Sequence, residues 1–222
     1  MTRPSYLVAI VGTDTNVGKT WIAQALLREW RACGLRVAAR KPVQSYETPV
    51  DTDADRLAEA TGEHPNSICP QHRWYPLAMA PPIAATALGR PRVELEDLVR
   101  EIVWPERVDI AVVETVGGVR SPLTHDGDSI DLLRRLQPDL VLLVADAGLG
   151  TLNAIRLTLA CLSGLPVEVV LNRFRPDDPL HRSNLEWLAQ HDSISARTSI
   201  DDLANSIQRA RSESVTVAAV SS

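Results

Sequence analysis

Apolar positions in this chain fall into two rhythms. Five short runs, at residues 6–11, 36–41, 108–114, 139–145 and 166–172, are almost continuous in Val, Leu, Ile and Ala. Runs of that length and composition predict strands buried on both faces. Between them lie stretches with helical spacing: 19–33, 53–61, 94–104, 129–136, 151–163, 182–190 and 200–211. The alternation predicts an α/β fold with a mostly parallel sheet and helices on both faces. Gly34 is placed to end the first helix, and Asp201 and Asp202 fall in the first turn of the last, where the helix dipole favours them. Residues 63–92 are rich in Pro and keep neither rhythm, so they form a long excursion of the kind that usually serves function in a compact domain. One domain is expected over 1–211, followed by a flexible or edge-adding tail over 212–222.

Composition narrows the partners. The chain has 222 residues, 45% of them hydrophobic, which suits a single soluble domain with a sizeable core. Its formal net charge is −5 without any basic stripe, which argues against nucleic acid. No apolar run is long enough to span a bilayer and no signal-peptide core is seen, so a cytoplasmic protein with no membrane partner is expected. Cys33, Cys69 and Cys161 lack metal-like spacing and are expected to be small buried filler in a reduced compartment. The five histidines are too scattered for a zinc site or a histidine-centred catalytic cluster.

The chemistry starts where the first strand breaks. Residues 12–20 read Gly-Thr-Asp-Thr-Asn-Val-Gly-Lys-Thr. A strand running into a glycine loop that ends in Gly-Lys-Thr and opens a helix is a phosphate cradle, a P-loop. Backbone N–H groups surround the phosphates, Lys19 reaches the outer ones, and the Thr20 hydroxyl can ligate Mg2+. Five residues separate Gly12 from Gly18, one more than in the common loop.

Ligands of open parallel sheets bind beyond the carboxyl ends of the strands, so the other strand ends are candidate site positions. Lys41 ends the second run, stiffened by Pro42, and could hold a phosphoryl group or an anionic intermediate. Of Asp51, Asp53 and Asp55, any could complete an oxygen shell around Mg2+ or simply cap a helix, with Asp53 the first choice. Glu114 ends the third run as an acid at the tip of a buried strand, suited to Mg2+, with Gly117 and Gly118 behind it for close backbone approach. The loop 145–153 is glycine-rich and opens a helix; it is either an anion site or an ordinary turn capped by Thr151. Asn172 either reads a base edge or forms a turn.

Together these segments resemble dethiobiotin synthetase. The resemblance rests on the loop at 12–20, Lys-Pro-Val-Gln-Ser at 41–45, Asp53-Ala54, Val113-Glu114 with Gly117-Gly118, and Leu149-Gly-Thr-Leu-Asn153, and it fades beyond about residue 172. It implies an ATP-dependent ligase in which CO2 forms a carbamate on 7,8-diaminononanoate, ATP phosphorylates the carbamate, and the second amine closes a ureido ring. Lys41, Lys19 and Ser45 are the implied catalytic groups. Thr13, Asp14, Thr15, Asn16, Val17, Gly18, Lys19, Thr20, Trp21, Glu114, Gly117, Gly118 and Asn172 are the implied nucleotide contacts. Thr20, Asp53 and Glu114 would hold Mg2+. Lys41, Ser45, Thr151, Leu152 and Asn153 would bind substrate, the last three across a homodimer interface.

The sequence departs from the family pattern around the reacting centre, with Tyr46 after Ser45 and Thr115-Val116 after Glu114. Residues 193–200 lack the family's adenine segment, and the late-helix tyrosine has no counterpart around residues 180–187. A related amidating synthetase acting on a different amine or carboxylate is the alternative. A partition- or Min-type ATPase would carry a further lysine early in the loop, and none precedes Lys19.

Overall fold

Successive strand residues point to opposite faces, so a strand apolar at every position needs two cores. β1 (Leu7–Gly12) is buried throughout. Its Leu7, Ala9 and Val11 enter one core, and Val8 and Ile10 enter the other. Each buried Val, Leu or Ile among them contributes about 1.5–3 kcal/mol through burial.

The computed structural model describes residues 3–47 and 51–220, with side chains to residue 214. After β1 come α1 (Lys19–Ala32), β2 (Val37–Arg40), β3 (Gln44–Ser45), α2 (Asp53–Thr61), α3 (Pro65–Ile68), β4 (Trp74–Tyr75), α4 (Pro81–Ala87) and α5 (Leu95–Glu101). The chain continues through β5 (Ile110–Gly118), α6 (Ser129–Leu136), β6 (Leu140–Asp146), α7 (Thr151–Cys161), β7 (Val167–Asn172), α8 (Pro179–His191) and α9 (Ile200–Val220). Five strands form one parallel sheet in the order β2-β5-β1-β6-β7. This is the α/β fold that the apolar pattern predicts. The chain winds outward from β1 to β2, returns through β5, and then winds the other way to β6 and β7. That reversal opens a crevice at the carboxyl end of β1.

Packing fixes the helices around this frame. Gly34 takes φ 81°, its N–H donates to the Arg31 carbonyl at 3.0 Å, and the Leu35 N–H donates to Trp30 at 3.1 Å, which closes α1 as expected. Trp30 is fully buried and its Nε1 donates to the Ala204 carbonyl at 3.2 Å, pinning α9 onto α1. Leu203 and Ile207 of α9 complete that core.

Several expected boundaries shift for local reasons. The helix expected over 94–104 ends at Glu101, because Pro105 disfavours helix before it and Arg40 engages the segment. The Arg40 Nε donates to the Val103 carbonyl at 2.7 Å, and its guanidinium lies 5.0 Å from the Trp104 ring centre. α8 begins at Pro179 rather than 182, since Asp178 caps it by accepting from Leu180 N–H at 2.9 Å. The last helix runs to Val220 rather than 211. Ser212 and Ser214 hydroxyls bond back to the carbonyls of Gln208 and Ala210, and no Gly or Pro interrupts. The expected tail from 212 is thus helical to Val220, and residues 221–222 lie outside the described residues. The excursion 63–92 holds α3, a 3-10 turn at Gln71–Arg73, β4 and α4, each too short to show a period. β4 pairs with β3 in a separate two-stranded ladder. Cys33 is exposed at the end of α1 and Cys161 is half-buried; of the three cysteines only Cys69 is buried filler. No helix among the described residues is long and apolar enough to cross a membrane.

Candidate active site

The loop after β1 is held open by its own backbone. Thr13 N–H donates to the Val144 carbonyl at 3.0 Å, so Thr13 anchors the loop to β6 and has no N–H left for phosphate. The Asp14 carboxylate accepts from Thr15 N–H at 2.7 Å. Asn16 and Gly18 take left-handed φ values of 59° and 96°. A Cβ at Gly18 would lie 2.0 Å from the Asn172 Nδ2, so close approach as well as backbone sign demands glycine. The N–H groups of Val17, Gly18, Lys19 and Thr20 have no backbone acceptor among the described residues. They form an anion nest at the start of α1.

Side chains from β2, α2 and β5 converge on this nest. The chain contains two lysines, Lys19 and Lys41, and both are buried here. Lys19 donates to the carbonyls of Asp14 at 2.8 Å and Gly117 at 2.9 Å. Burial, reinforced by repulsion from Lys41, pulls its pKa down to about 8. Lys41 is 2% exposed, and its Nζ lies 2.6 Å from Glu114 Oε1 and 2.8 Å from Asp53 Oδ2. The Thr20 hydroxyl lies 2.8 Å from both Asp53 Oδ1 and Glu114 Oε1. Burial works against the Lys41 charge, yet Asp53 and Glu114 outweigh it and raise its pKa. For Asp53 too, burial is outweighed by Lys41 and Thr20, and its pKa is lowered.

This donor set fits a divalent cation. Glu114 is fully buried and its Oε2 has no hydrogen-bond partner among the described residues, while the Lys41 ammonium stands in as a cation between two carboxylates. Hard oxygen donors from two carboxylates and a hydroxyl suit Mg2+, with phosphate oxygens and water completing the shell. Among the described residues no group of three or more His, Cys, Asp or Glu gathers into another metal site. The choice among the aspartates is decided by hydrogen bonding. Asp55 is taken by the Thr52 capping box, and Asp53 alone faces Thr20, Lys41 and Glu114.

Three clefts adjoin. One of about 450 Å3 is lined by Thr15, Gly18, Lys19, Thr20, Lys41 and Glu114. It shares Ser45, Asp53, Arg56 and Val116 with a neighbour of about 620 Å3 that extends to Tyr46, Met79 and Ser121. A third, of about 380 Å3, lies between Trp21, Asn172, Phe174 and Ile200. Trp21 is 56% exposed there.

Several expected residues sit differently from the simplest expectation. The Ser45 hydroxyl donates to the Met79 carbonyl at 2.6 Å, so it offers the cleft only lone pairs. The Asn172 Nδ2 donates to the Val17 carbonyl at 2.8 Å, which ties β7 to the loop and leaves Oδ1 for a ligand. Gly118 is part of β5 and supports the loop from below, where a Cβ would lie 3.1 Å from the Thr13 carbonyl. Gly117 takes φ 58° and supplies the carbonyl that holds Lys19. Thr151 is the first residue of α7 and not its cap, which is Gly150 at φ 91°; its buried hydroxyl has no partner among the described residues. Thr151, Leu152 and Asn153 line neither phosphate-side cleft. Sequence reasoning missed Arg56, three residues beyond Asp53 on the same helix. It also missed Arg173, whose guanidinium bridges Asp146 Oδ2 and the Asn16 carbonyl at 2.7 Å each. Their spacing from Asp53 and Asn172 was the available signal.

A family model described as an AAA domain matches residues 7–205. An ATP-dependent dethiobiotin synthetase of Anaeromyxobacter dehalogenans (strain 2CP-C) is 41% identical over 196 residues, 83% of this chain and 86% of the relative. The chain belongs to the dethiobiotin synthetase family. A second dethiobiotin synthetase, from Aquifex aeolicus (strain VF5), is 36% identical over 83% of this chain and 84% of its own. Dethiobiotin synthetases are ATP-dependent enzymes of the ligase type, and the P-loop and the buried lysine pair are the features of this chain that suit such chemistry. A plasmid partition protein from Borrelia burgdorferi shares the fold, with a TM-score of 0.54 over 97% of this chain and 99% of that one. At 12% identity that likeness concerns fold alone.

Proposed function

We propose that this chain is a Mg2+-dependent ligase that uses ATP and CO2 to convert 7,8-diaminononanoate to dethiobiotin through a carbamic-phosphoric anhydride. The observation that carries this reading is the meeting of Lys41 with Lys19, Thr20, Asp53 and Glu114 beside a cleft large enough for a second reactant.

The triphosphate lies along the N–H groups of residues 17–20, with its base in the cleft between Trp21 and Asn172. Asp53, Glu114 and Thr20 hold Mg2+, which neutralises phosphate charge when bound. A carbamate oxygen forms a bond to the γ-phosphorus while the bond to the β,γ-bridging oxygen breaks, its electron pair leaving with ADP. The free amine then attacks the anhydride carbon, phosphate departs with the C–O electron pair, and the nitrogen loses its proton. Lys19 and Lys41 stabilise the charge spread over the transferring group, and Ser45 accepts a hydrogen bond beside the carbamate. Residues 151–153 bind the substrate carboxylate of the partner subunit's site in a homodimer. Exposed Leu157 on α7 and Trp187 on the neighbouring α8 support such an interface. We read the enzyme as cytoplasmic, where ATP is available.

The test is phosphate release by purified protein with Mg2+ and ATP, with diaminononanoate and bicarbonate each omitted in turn. Release is expected only when both are present. Equal release without the diamine, or preference for another amine that Tyr46 and Val116 fit better, overturns the substrate assignment.

A further inference from the structure

One cation at the site has no partner among the described residues. Arg56 is exposed on α2, one turn beyond Asp53, so the two share a helix face. Its backbone is spent, the N–H donating to the Thr52 carbonyl at 3.1 Å and the carbonyl accepting from Gln24 at 3.1 Å. Its guanidinium makes no hydrogen bond or ion pair among the described residues. The acids of its own helix are all engaged elsewhere: Asp53 by Lys41 and Thr20, Asp55 by Thr52, and Glu59 by Arg28 and Gln24. The Asp53–Arg56 pair that the spacing permits is therefore absent. By contrast, the neighbouring rim cation Arg173 is held by Asp146 and Asn16.

Arg56 also stands at a particular place. It lines both the cleft that contains the anion nest and the larger cleft beside it, at their shared mouth with Ser45, Asp53 and Val116. Lys19 reaches this junction from the first turn of α1, Lys41 from just beyond β2, and Arg56 from α2. In the proposed reaction two anions must meet there, an ionised acceptor and the terminal phosphate of ATP. A planar, permanently charged group with several donors matches a transferring phosphoryl group better than a point charge does.

We propose that Arg56 is a catalytic residue that binds the phosphoryl group in transit between ATP and the acceptor, an arginine supplied in cis that completes the positive ring begun by Lys19 and Lys41. No bond to Arg56 forms or breaks and its proton stays in place. It neutralises charge on oxygens whose phosphorus exchanges one oxygen partner for another. This rests on the phosphoryl-transfer part of the proposed function and not on the identity of the amine.

The experiment compares full-length wild type with R56A and R56K in two binding measurements and one rate. Binding of a non-hydrolysable ATP analogue with Mg2+ reads the ground state, and binding of ADP with Mg2+ and aluminium fluoride reads the planar phosphoryl group. R56A is expected to bind the ATP analogue within about threefold of wild type, to lose about 100-fold in affinity for the fluoroaluminate complex, and to lose kcat by a similar factor. R56K recovers little of this, because an ammonium cannot reproduce the fork. Free guanidinium ion restores part of the R56A rate. An exposed, unpaired side chain contributes little to folding, so the melting temperature stays constant and excludes a merely structural effect. If R56A binds fluoroaluminate–ADP as tightly as wild type, the role is wrong. Should wild type fail with the diamine while R56A still loses the fluoroaluminate complex, the substrate assignment falls and the Arg56 role stands.

Discussion

Lys41 holds a charge balance that one substitution would tip. Its ammonium is the counter-ion of two carboxylates, one fully buried and the other half-buried. Removing one partner of a buried ion pair typically costs about 3–5 kcal/mol, because the remaining charge is uncompensated. Lys41→Met is therefore expected to melt roughly 10 °C below wild type in chelator. Added Mg2+, a replacement cation for the same oxygens, should raise its melting temperature far more than it raises that of wild type. Equal shifts in calorimetric scans of the two proteins would mean that Lys41 does not stand in for a metal. The same variant should lose turnover by about 100-fold or more while still binding ATP through the N–H nest. Ser45 and Asn172 carry a related lesson. Each was legible as a polar side chain at a strand end, yet their bonds to Met79 and Val17 decide which atoms a ligand can use.

At the scale of elements, the site depends on several elements reaching one rim; Glu114 does so from the middle of β5, which runs on to Gly118, and not from the strand tip that the apolar run 108–114 suggested. β5 brings Glu114, β2 brings Lys41, and α2 brings Asp53 with Arg56. The opposite end of β5 is tied by Asp109, whose carboxylate accepts from the Arg36 backbone at 2.9 Å and Arg36 Nε at 2.8 Å, and from Arg211 at 3.1 Å. Hydrogen bonds from Arg36, outweighing partial burial and aided by Arg211, hold the Asp109 pKa at about 2, below its ordinary 3.8. A depressed carboxylate contributes stability above its unfolded pKa and loses it as pH falls through the folded one. Asp109→Asn should thus lower the urea midpoint at pH 7, and the gap to wild type should close between about pH 4 and pH 2. A gap that stays constant with pH would assign the effect to packing and remove the ion pair as its cause. Because water screens this pair, the effect is expected to be modest.

Over the whole molecule, two apolar cores clamp one parallel sheet, and the order β2-β5-β1-β6-β7 puts the phosphate nest at its centre. Residues 151–153 lie away from the chain's own phosphate-side clefts, which a second subunit would remedy. Leu157, 62% exposed, lies on the candidate contact face. If the proposed homodimer forms through this face, Leu157→Glu is expected to sediment as a monomer at concentrations where wild type sediments as a dimer. It should also raise the KM for the diamine while leaving binding of ADP with Mg2+ unchanged. A wild type that sediments as a monomer would return the carboxylate site to within one chain. What the sequence determined by itself was everything with a short period or a fixed local spacing. The apolar runs meant buried parallel strands, because side chains alternate between faces. The loop at 12–20 meant a triphosphate, because glycine, lysine and threonine at that spacing build the nest from adjacent residues. Only the tertiary structure decided that Asp53 rather than Asp51 or Asp55 meets Glu114, that Lys41 bridges them, and that Arg56 is left without a partner among the described residues. Those contacts join residues up to 73 positions apart, and their partners are chosen by how two cores pack against the sheet, a competition that no local pattern records.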